Sequence, residues 1–505
     1  MVQSPKIVIV GGGPVGALAG LYAAKRGFRV EVYDLRDDIQ KPSLRVDASK
    51  SLNLTLSERG LQAIAGAERP GLLEDVIKDA VPIHSRMVHG INGDKLTQKS
   101  MKYDVHGRVC YVVQREVIGR TLMVALGKQS NVRLCFRHKL QSCDFKKKVA
   151  TFEILSSAQT DSETKRPTLL TTVGWISLAD VRTASKCAVV DFDFLIGADG
   201  VHSNTRGQLL RQSRVDFSQR WLEDMWCEFD MAAKSDGAHA IAADHLHLWP
   251  QKDCIFLAQP NNNGTFACAL FAPESIFHHL EKDPDSIIPF FRANFPGVTP
   301  DLIPTEDIVR HFSTNPHFPL LTTKCNKYHH GDSFLLVGDA CHALVPFYGV
   351  GMNVGFEDVQ TFFQDFLDKG RKFNGTLSPR SEKHGELEIG ASICTAALLD
   401  AYTAHRRPDI HAITDLALEH YDALKVGVNA WSYLLRRWTE DTLEFYAPKM
   451  GWTTTYSRVT YGKERFSEVV KKEKRQGQVL AFAGGLLCVG LLIALLYLIG
   501  LSRRA

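Results

Sequence analysis

A chain of 505 residues, at about 150 residues per domain, has the length for roughly three domains or one large two-domain enzyme. Hydrophobic residues make up 45% and charged residues 23%, which excludes a disordered or fibrous chain and permits a large core. Sixty Lys and Arg against 56 Asp and Glu leave a net charge of +4 with no long basic block, so nucleic acid is not an expected partner. Eleven cysteines, an odd number without a CxxC pair, predict a reduced setting with neither a disulfide framework nor a zinc ribbon.

A strand is predicted almost at once, over Lys6-Ile7-Val8-Ile9-Val10. It leaves no room for a secretory or transit peptide, so the body is expected in the cytosol and the sequons at Asn53, Asn263 and Asn374 unused. Gly11-Gly12-Gly13-Pro14-Val15-Gly16 follows, then a small-residue helix from Ala17 to Lys25 and a second strand, Phe28 to Tyr33, ending at Asp34. In this context G-x-G-x-x-G is a dinucleotide-binding entrance: Gly11, Gly13 and Gly16 let a pyrophosphate approach the amides at the helix N-terminus. Asp34, 23 residues after Gly11, is spaced to reach an adenosine ribose hydroxyl. The motif does not distinguish NAD from FAD.

Two later segments bear on that choice. Asp193 to Gly200 (DFLIGADG) is a buried strand running into a turn, and Val201 to Arg206 (VHSNTR) opens a helix. Phe334 to Ala340 (FLLVGDA) is another buried strand ending in Gly-Asp, and Gly349 to Asp358 reads as a loop entering a helix. Asp339 is placed to accept a ribityl hydroxyl, and the amides of Gly351, Met352 and Asn353 to face a flavin whose reduced form is anionic. Cys341-His342 is read as structural, and His278-His279 and His329-His330, which lack metal spacing, as solvated loops; no metal site is expected.

With these motifs in order and at their spacing, the chain resembles the single-component flavin-dependent aromatic hydroxylases. That resemblance implies an α/β fold: a Rossmann-like FAD-binding domain (1–210 and 325–370), an inserted β-sheet substrate domain (211–324) and a C-terminal helical region (392–475). It implies tightly bound FAD, NADPH docking transiently as co-substrate, and O2. Arg115 resembles the family's arginine near the pyrophosphate, and Val15, Thr55, Leu140, Asp199 and Asn204 stand where the family meets its cofactor.

Within that family the local similarity is to the kynurenine 3-monooxygenases. It is carried by Lys50 to Gly60, Ile83 to His89 (IHSRMVH), Leu246 to Pro250 and Val345 to Asn353 (VPFYGVGMN). The match is interrupted by polar stretches near 156–188 and 370–391 that read as surface insertions. The resemblance implies L-kynurenine as substrate, hydroxylated to 3-hydroxykynurenine through a flavin hydroperoxide, in tryptophan degradation and NAD biosynthesis. Arg86 follows the family's carboxylate-binding arginine, whose guanidinium grips in two-point fashion. Tyr103, Asn429 and Tyr456 match further substrate contacts, Phe347 and Tyr348 would line the ring slot, and Trp249 is read as core. No side chain is assigned as acid or base, because the aniline nitrogen already activates the ring. Val350 stands where relatives usually carry Gln, and Lys50 where they often carry Arg. A flavin hydroxylase of another aromatic acid or phenol is the alternative, and a non-enzymatic escort protein for prenylated GTPases a remote one.

The chain closes on 23 residues without a charge, Val479 to Leu501, long enough for a helix of about 34 Å at ~1.5 Å per residue. Lys471, Lys472, Lys474 and Arg475 precede it, and Arg503 and Arg504 follow. The pattern predicts a transmembrane tail anchor over 479–501, and with the resemblance it predicts the mitochondrial outer membrane with the catalytic body facing the cytosol.

Overall fold

The computed structural model describes residues 4–41, 53–93, 95–155, 186–370, 393–424 and 431–502. Lys6–Val10, buried on both faces, lies inside a six-stranded sheet, as a parallel strand covered on both sides must. The strand order is His329–His330, Phe334–Leu336, Phe194–Gly197, Lys6–Val10, Arg29–Tyr33, Val132–Cys135. All neighbours are parallel except the two-residue edge strand His329–His330. Ile7 pairs with Phe194 on one side and Val30 on the other, so the first two predicted motifs end on adjacent strands. The Pro14–Lys25 helix packs against both the Arg115–Gly127 helix and the Gly351–Gln360 helix.

A seven-stranded sheet forms the second layer, in the order Phe318–Cys325, Phe217–Met231, Phe266–Pro273, Ile255–Pro260, His245–Pro250, Ser85–Asn92, Lys95–Lys102. Two of its strands therefore come from 85–102, well before the 211–324 range of the sequence reading. They join through a parallel pairing that sets Leu246 opposite Arg86. One face packs under three helices, Glu274–Lys282, Ile287–Asn294 and Thr305–Thr314, with Phe229, Phe256, Phe277, Phe291 and Trp249 in the core between. The opposite face meets Phe347 and the Ala396–Asp422 helix through Phe271 and Tyr421. Trp249 is core, as read from sequence.

The histidine pairs are not loops. His278 and His279 lie in the Glu274–Lys282 helix, where His278 pairs with Glu274 and Glu281. His329 is buried in the edge strand, bonded to Thr403 (2.9 Å) and Asp400 (3.1 Å).

The C-terminal part is helical: Ala396–Asp422, Trp431–Tyr446, Thr455–Tyr461 and the 37-residue Phe466–Ser502. Among the described residues no helix is long and apolar enough to cross a membrane. Several side chains of the 479–501 run lie outside the described residues, as do Lys50 and most of the insertions predicted at 156–188 and 370–391, of which only 186–188 and 370 are described.

Gly11 is the hinge of this layout. Its φ is +102°, and a Cβ there would overlap the Ala198 carbonyl of the neighbouring strand end. Gly11→Ala is expected to lower stability by at least about 1–3 kcal/mol through backbone strain and to abolish flavin retention. Urea unfolding and visible absorption check this; an unchanged midpoint would contradict it.

Candidate active site

The Gly338 turn and the Gly351–Gln360 helix converge on Val15. The Cβ of Gly338 would sit 3.3 Å from Val15, and that of Gly355 2.8 Å from Val15 and 3.1 Å from the Gly338 backbone. Only glycine lets the Gly351–Gln360 helix come this close to the Pro14–Lys25 helix. Each helix start carries amides without intrahelical acceptors: those after Gly13 in one, and those of Gly351, Met352 and Asn353 in the other. A side chain added at Gly13 or Gly351 would meet nothing within 4 Å, so open space lies beside both helix starts. Gly16 is close-packed instead, on the Gly11 carbonyl.

Asp34 is buried at the end of its strand and accepts from the Gly12 amide (2.5 Å). It also accepts from Arg36: the amide at 2.8 Å and the guanidinium at 2.9 Å to each carboxylate oxygen. Burial alone would raise this carboxyl, but the bonds and charge of Arg36 and the Gly12 amide hold it below the usual range. Arg36 is largely exposed, so it can swing aside to free an oxygen for a ribose hydroxyl.

Asp339 differs. Burial raises its carboxyl, opposed by the charges of Arg115 and His342. Among the described residues no hydrogen-bond donor engages it. A carboxylate left in this state beside two helix starts suits a polyol hydroxyl. Arg115, at the first position of its own helix, is exposed and near enough for its charge to act on Asp339.

A buried network supports the turn from behind. Asp358 accepts from the Gly338 amide (3.0 Å) and His342 Nε2 (2.5 Å), and Arg406 grips its other oxygen at 2.8 and 3.0 Å. Arg406 and Arg59 both reach Glu357 (3.0 and 2.5 Å). Burial would raise the Asp358 carboxyl; His342 and Arg406 override it and hold it low. Asn353 fastens the helix start sideways: its amide nitrogen donates to the carbonyls of Thr55 (2.7 Å) and Gly349 (3.0 Å), and its oxygen accepts from the Ser57 amide (2.9 Å). Its side chain is therefore structural, and only its backbone amide is available to a ligand.

The Asp199 carboxylate is likewise committed within the protein. It accepts from the hydroxyls of Ser203 (2.6 Å) and Thr205 (2.5 Å) and from the Thr205 amide (2.9 Å), shaping the turn into the Asn204–Gln212 helix. Asn204 donates to the Leu140 carbonyl, so these two predicted cofactor residues touch each other. Arg206 joins this segment to the Asp339 turn by donating to the carbonyls of Val201 (2.7 Å) and Ala340 (3.0 Å).

The cavity side carries the aromatic slot. Arg86 is buried on its strand and acts electrostatically on Tyr103, Tyr456 and His420. Tyr103 stacks on Tyr456 at 5.0 Å, and Tyr456 on Tyr348 at 5.7 Å; Tyr348 lies 4.3 Å from the His420 ring. Burial raises both phenols, Tyr103 and Tyr456, so both stay protonated and able to donate. Arg86, Tyr103, Tyr348 and Tyr456, four of the residues the sequence reading assigned to substrate, are thus brought together. Phe347 turns the other way, stacked on Tyr421 at 3.8 Å and against Phe271 at 4.7 Å. Asn429 lies outside the described residues. Sequence reading missed His420, Arg437, which donates to the Lys102 carbonyl, and Asp441, 3.5 Å from Arg437. Only their place in helices after the slot hinted at them.

The family model described as an FAD binding domain matches residues 5–368. A kynurenine 3-monooxygenase of Neurospora crassa is 42% identical, covering 100% of this chain and 96% of the relative. The kynurenine 3-monooxygenase of Aspergillus oryzae is 41% identical, covering 95% and 90%. In fold, the p-nitrophenol 4-monooxygenase of Pseudomonas putida superposes with a TM-score of 0.62 at 17% identity, covering 92% of this chain and 99% of that one. The chain belongs to the FAD-dependent aromatic monooxygenases, in the kynurenine 3-monooxygenase family. With that family go FAD as the bound group and NADPH as co-substrate. The open helix starts, the undonated Asp339 and the exposed Arg115 fit FAD.

His420 is held neutral: burial first, then the charges of Arg86 and Arg437, push its imidazole down to about 3. The unfolded chain protonates a histidine near pH 6.5. Stability from this group is therefore complete above about pH 6.5 and is lost as pH falls towards about 3, by up to about 1.4 kcal/mol per pH unit. His420→Gln is expected to flatten the fall in urea midpoint between pH 7.5 and 5.5; parallel curves for the two chains would contradict it.

Proposed function

We propose that the chain hydroxylates L-kynurenine at ring carbon 3, consuming NADPH, a proton and O2 and yielding 3-hydroxykynurenine, NADP+ and water. The observation that carries this is a buried arginine, Arg86, set among two stacked tyrosines and a neutral histidine. Such a site accepts one carboxylate and one flat ring. Arg86 takes the amino acid's carboxylate in two-point fashion, with the Tyr103 hydroxyl as a further donor. Tyr348 and Tyr456 flank the ring; Asn429 joins the substrate contacts as the family resemblance implies. Neutral His420 adds no second cation to compete for the carboxylate.

Bound FAD supplies the electrons of NADPH to O2. The chain's residues hold it and shut out water. Gly11, Gly13, Val15 and Gly16 admit the pyrophosphate to the Pro14–Lys25 helix start, where Arg115 adds positive charge. Asp34 takes the adenosine ribose and Asp339 the ribityl chain. The amides of Gly351, Met352 and Asn353 face the end of the ring system that becomes anionic on reduction. Thr55, Leu140, Asp199 and Asn204 shape the walls. The aniline nitrogen donates density to its ortho carbon, so positioning that carbon and excluding water is the protein's main contribution. The flavin unit of 1–210 and 325–370 and the substrate sheet of 211–324, with its added strands from 85–102, meet at this slot.

The tail reading is part of the same proposal. The 479–501 run inserts in the mitochondrial outer membrane, leaving the body in the cytosol. Large apolar side chains already stand exposed along its first turns, among them Phe482, Leu486 and Leu491.

The test is substrate-stimulated NADPH oxidation by the purified chain, with L-kynurenine beside a panel of phenols and aryl acids. Stimulation by L-kynurenine alone is expected. Removing one partner of a buried charged pair costs about 2–5 kcal/mol, so Arg86→Ala is expected to raise KM at least about 30-fold with flavin content unchanged. Equal stimulation by a phenol, or an unchanged KM in the variant, would overturn the assignment.

A further inference from the structure

The Trp431–Tyr446 helix has two unlike sides. Its inner side is polar and committed: Arg437 donates to the Lys102 carbonyl and pairs with Asp441, and buried Glu444 accepts from the Thr454 amide (3.0 Å). Its flank reaches the C-terminal helix, where Arg436 pairs with Glu440 (2.9 Å) and Glu473 (3.8 Å). The outer side is apolar and bare. Leu435 is 51% exposed, Trp438 65%, Phe445 55%, Tyr446 79%, and Met450 just beyond the helix 68%.

At about 100° per residue, positions 435, 438, 442, 445 and 446 fall on one stripe of roughly 100° width. Thr442 lies among them, and its hydroxyl is taken up by donating to the Trp438 carbonyl (2.6 Å). A contiguous ridge of this size with two aromatics carrying a polar edge is a contact surface.

We infer that this ridge lies in the headgroup region of an anionic lipid bilayer, as a second, in-plane contact beside the tail. The inference rests on the membrane reading of the 479–501 run. What points to lipid is position. The Arg436–Glu473 pair fixes the helix next to the C-terminal helix just six residues before that run begins at Val479, so the ridge starts where the apolar surface of the tail starts. Lys471, Lys472, Lys474 and Arg475 are exposed around the same point, and Lys449 at the ridge's far end. Basic residues next to Trp and Tyr match an anionic headgroup layer, into which an amphipathic helix sinks its apolar face about 5–10 Å. The helix then faces the substrate slot on one side and the bilayer on the other.

The full chain is reconstituted into phosphatidylcholine–phosphatidylserine vesicles whose acyl chains carry bromine near the headgroup, and tryptophan quenching is compared with that of Trp438→Phe. The intact chain is expected to lose more fluorescence than the variant, the difference being the emission of Trp438. Equal fractional quenching of two chains that both sediment with vesicles overturns the ridge while the tail reading stands. Shielding of Trp438 from aqueous iodide without quenching by the lipid overturns it in favour of a second copy or another protein. A chain that does not sediment with the vesicles fails the tail reading, and the ridge contact falls with it.

Discussion

The site depends on one close approach: the Gly351–Gln360 helix meets the Pro14–Lys25 helix at Val15, with Gly338 and Gly355 as the surfaces in contact. That approach brings together two helices whose N-termini each carry unpaired amides, a positive dipole end and open space beside them. Any side chain at Gly355 would force them apart. The arrangement concentrates positive potential without placing a lysine or arginine at its centre. A group with a pyrophosphate at one end and a ring that gains negative charge at the other is what such a space stabilises.

Holding the turn in place falls to buried charge. Asp358 is compensated by Arg406, His342 and the Gly338 amide at once, and Glu357 by Arg406 and Arg59. Losing one partner of such a group costs about 3–5 kcal/mol, because a charge is left in a medium that cannot solvate it. Asp339, one residue from Gly338, sits beside this network without belonging to its hydrogen bonds. The protein thus spends one carboxylate on structure and leaves its neighbour for a ligand. The same division appears at the other motifs: the Asn353 side chain is structural while its amide is open, and Asp199 shapes a turn.

Local motifs were legible in the sequence because glycine, strand and helix signals lie within a few residues of each other. Lys6–Val10, the Gly11–Gly16 turn, Asp34 and the Gly338–Asp339 strand end all stand where the pattern placed them. What could not be read were pairings set by the tertiary fold. Arg406 reaches Asp358 from a helix 48 residues on, and Tyr456 stacks on Tyr103 from 353 residues away. The strands of 85–102 enter a sheet otherwise built from 217–325, because parallel pairing with His245–Pro250 carries no local signature. His420 had no motif at all; its significance comes from burial beside Arg86. The hydrogen bonds of Asp199 were nearer to legible: Ser203 and Thr205, four and six residues on, are the hydroxyls that commonly turn an aspartate inward.

The central claim is that this pair of helix starts and the Asp339 carboxylate hold FAD. Its most direct measurement is the flavin content of the purified full chain, read from visible absorption, in the native protein and in Asp339→Ala. A yellow native chain with one FAD and a variant that loses it on gel filtration is the predicted result. A colourless native chain that does not take up added FAD would contradict it.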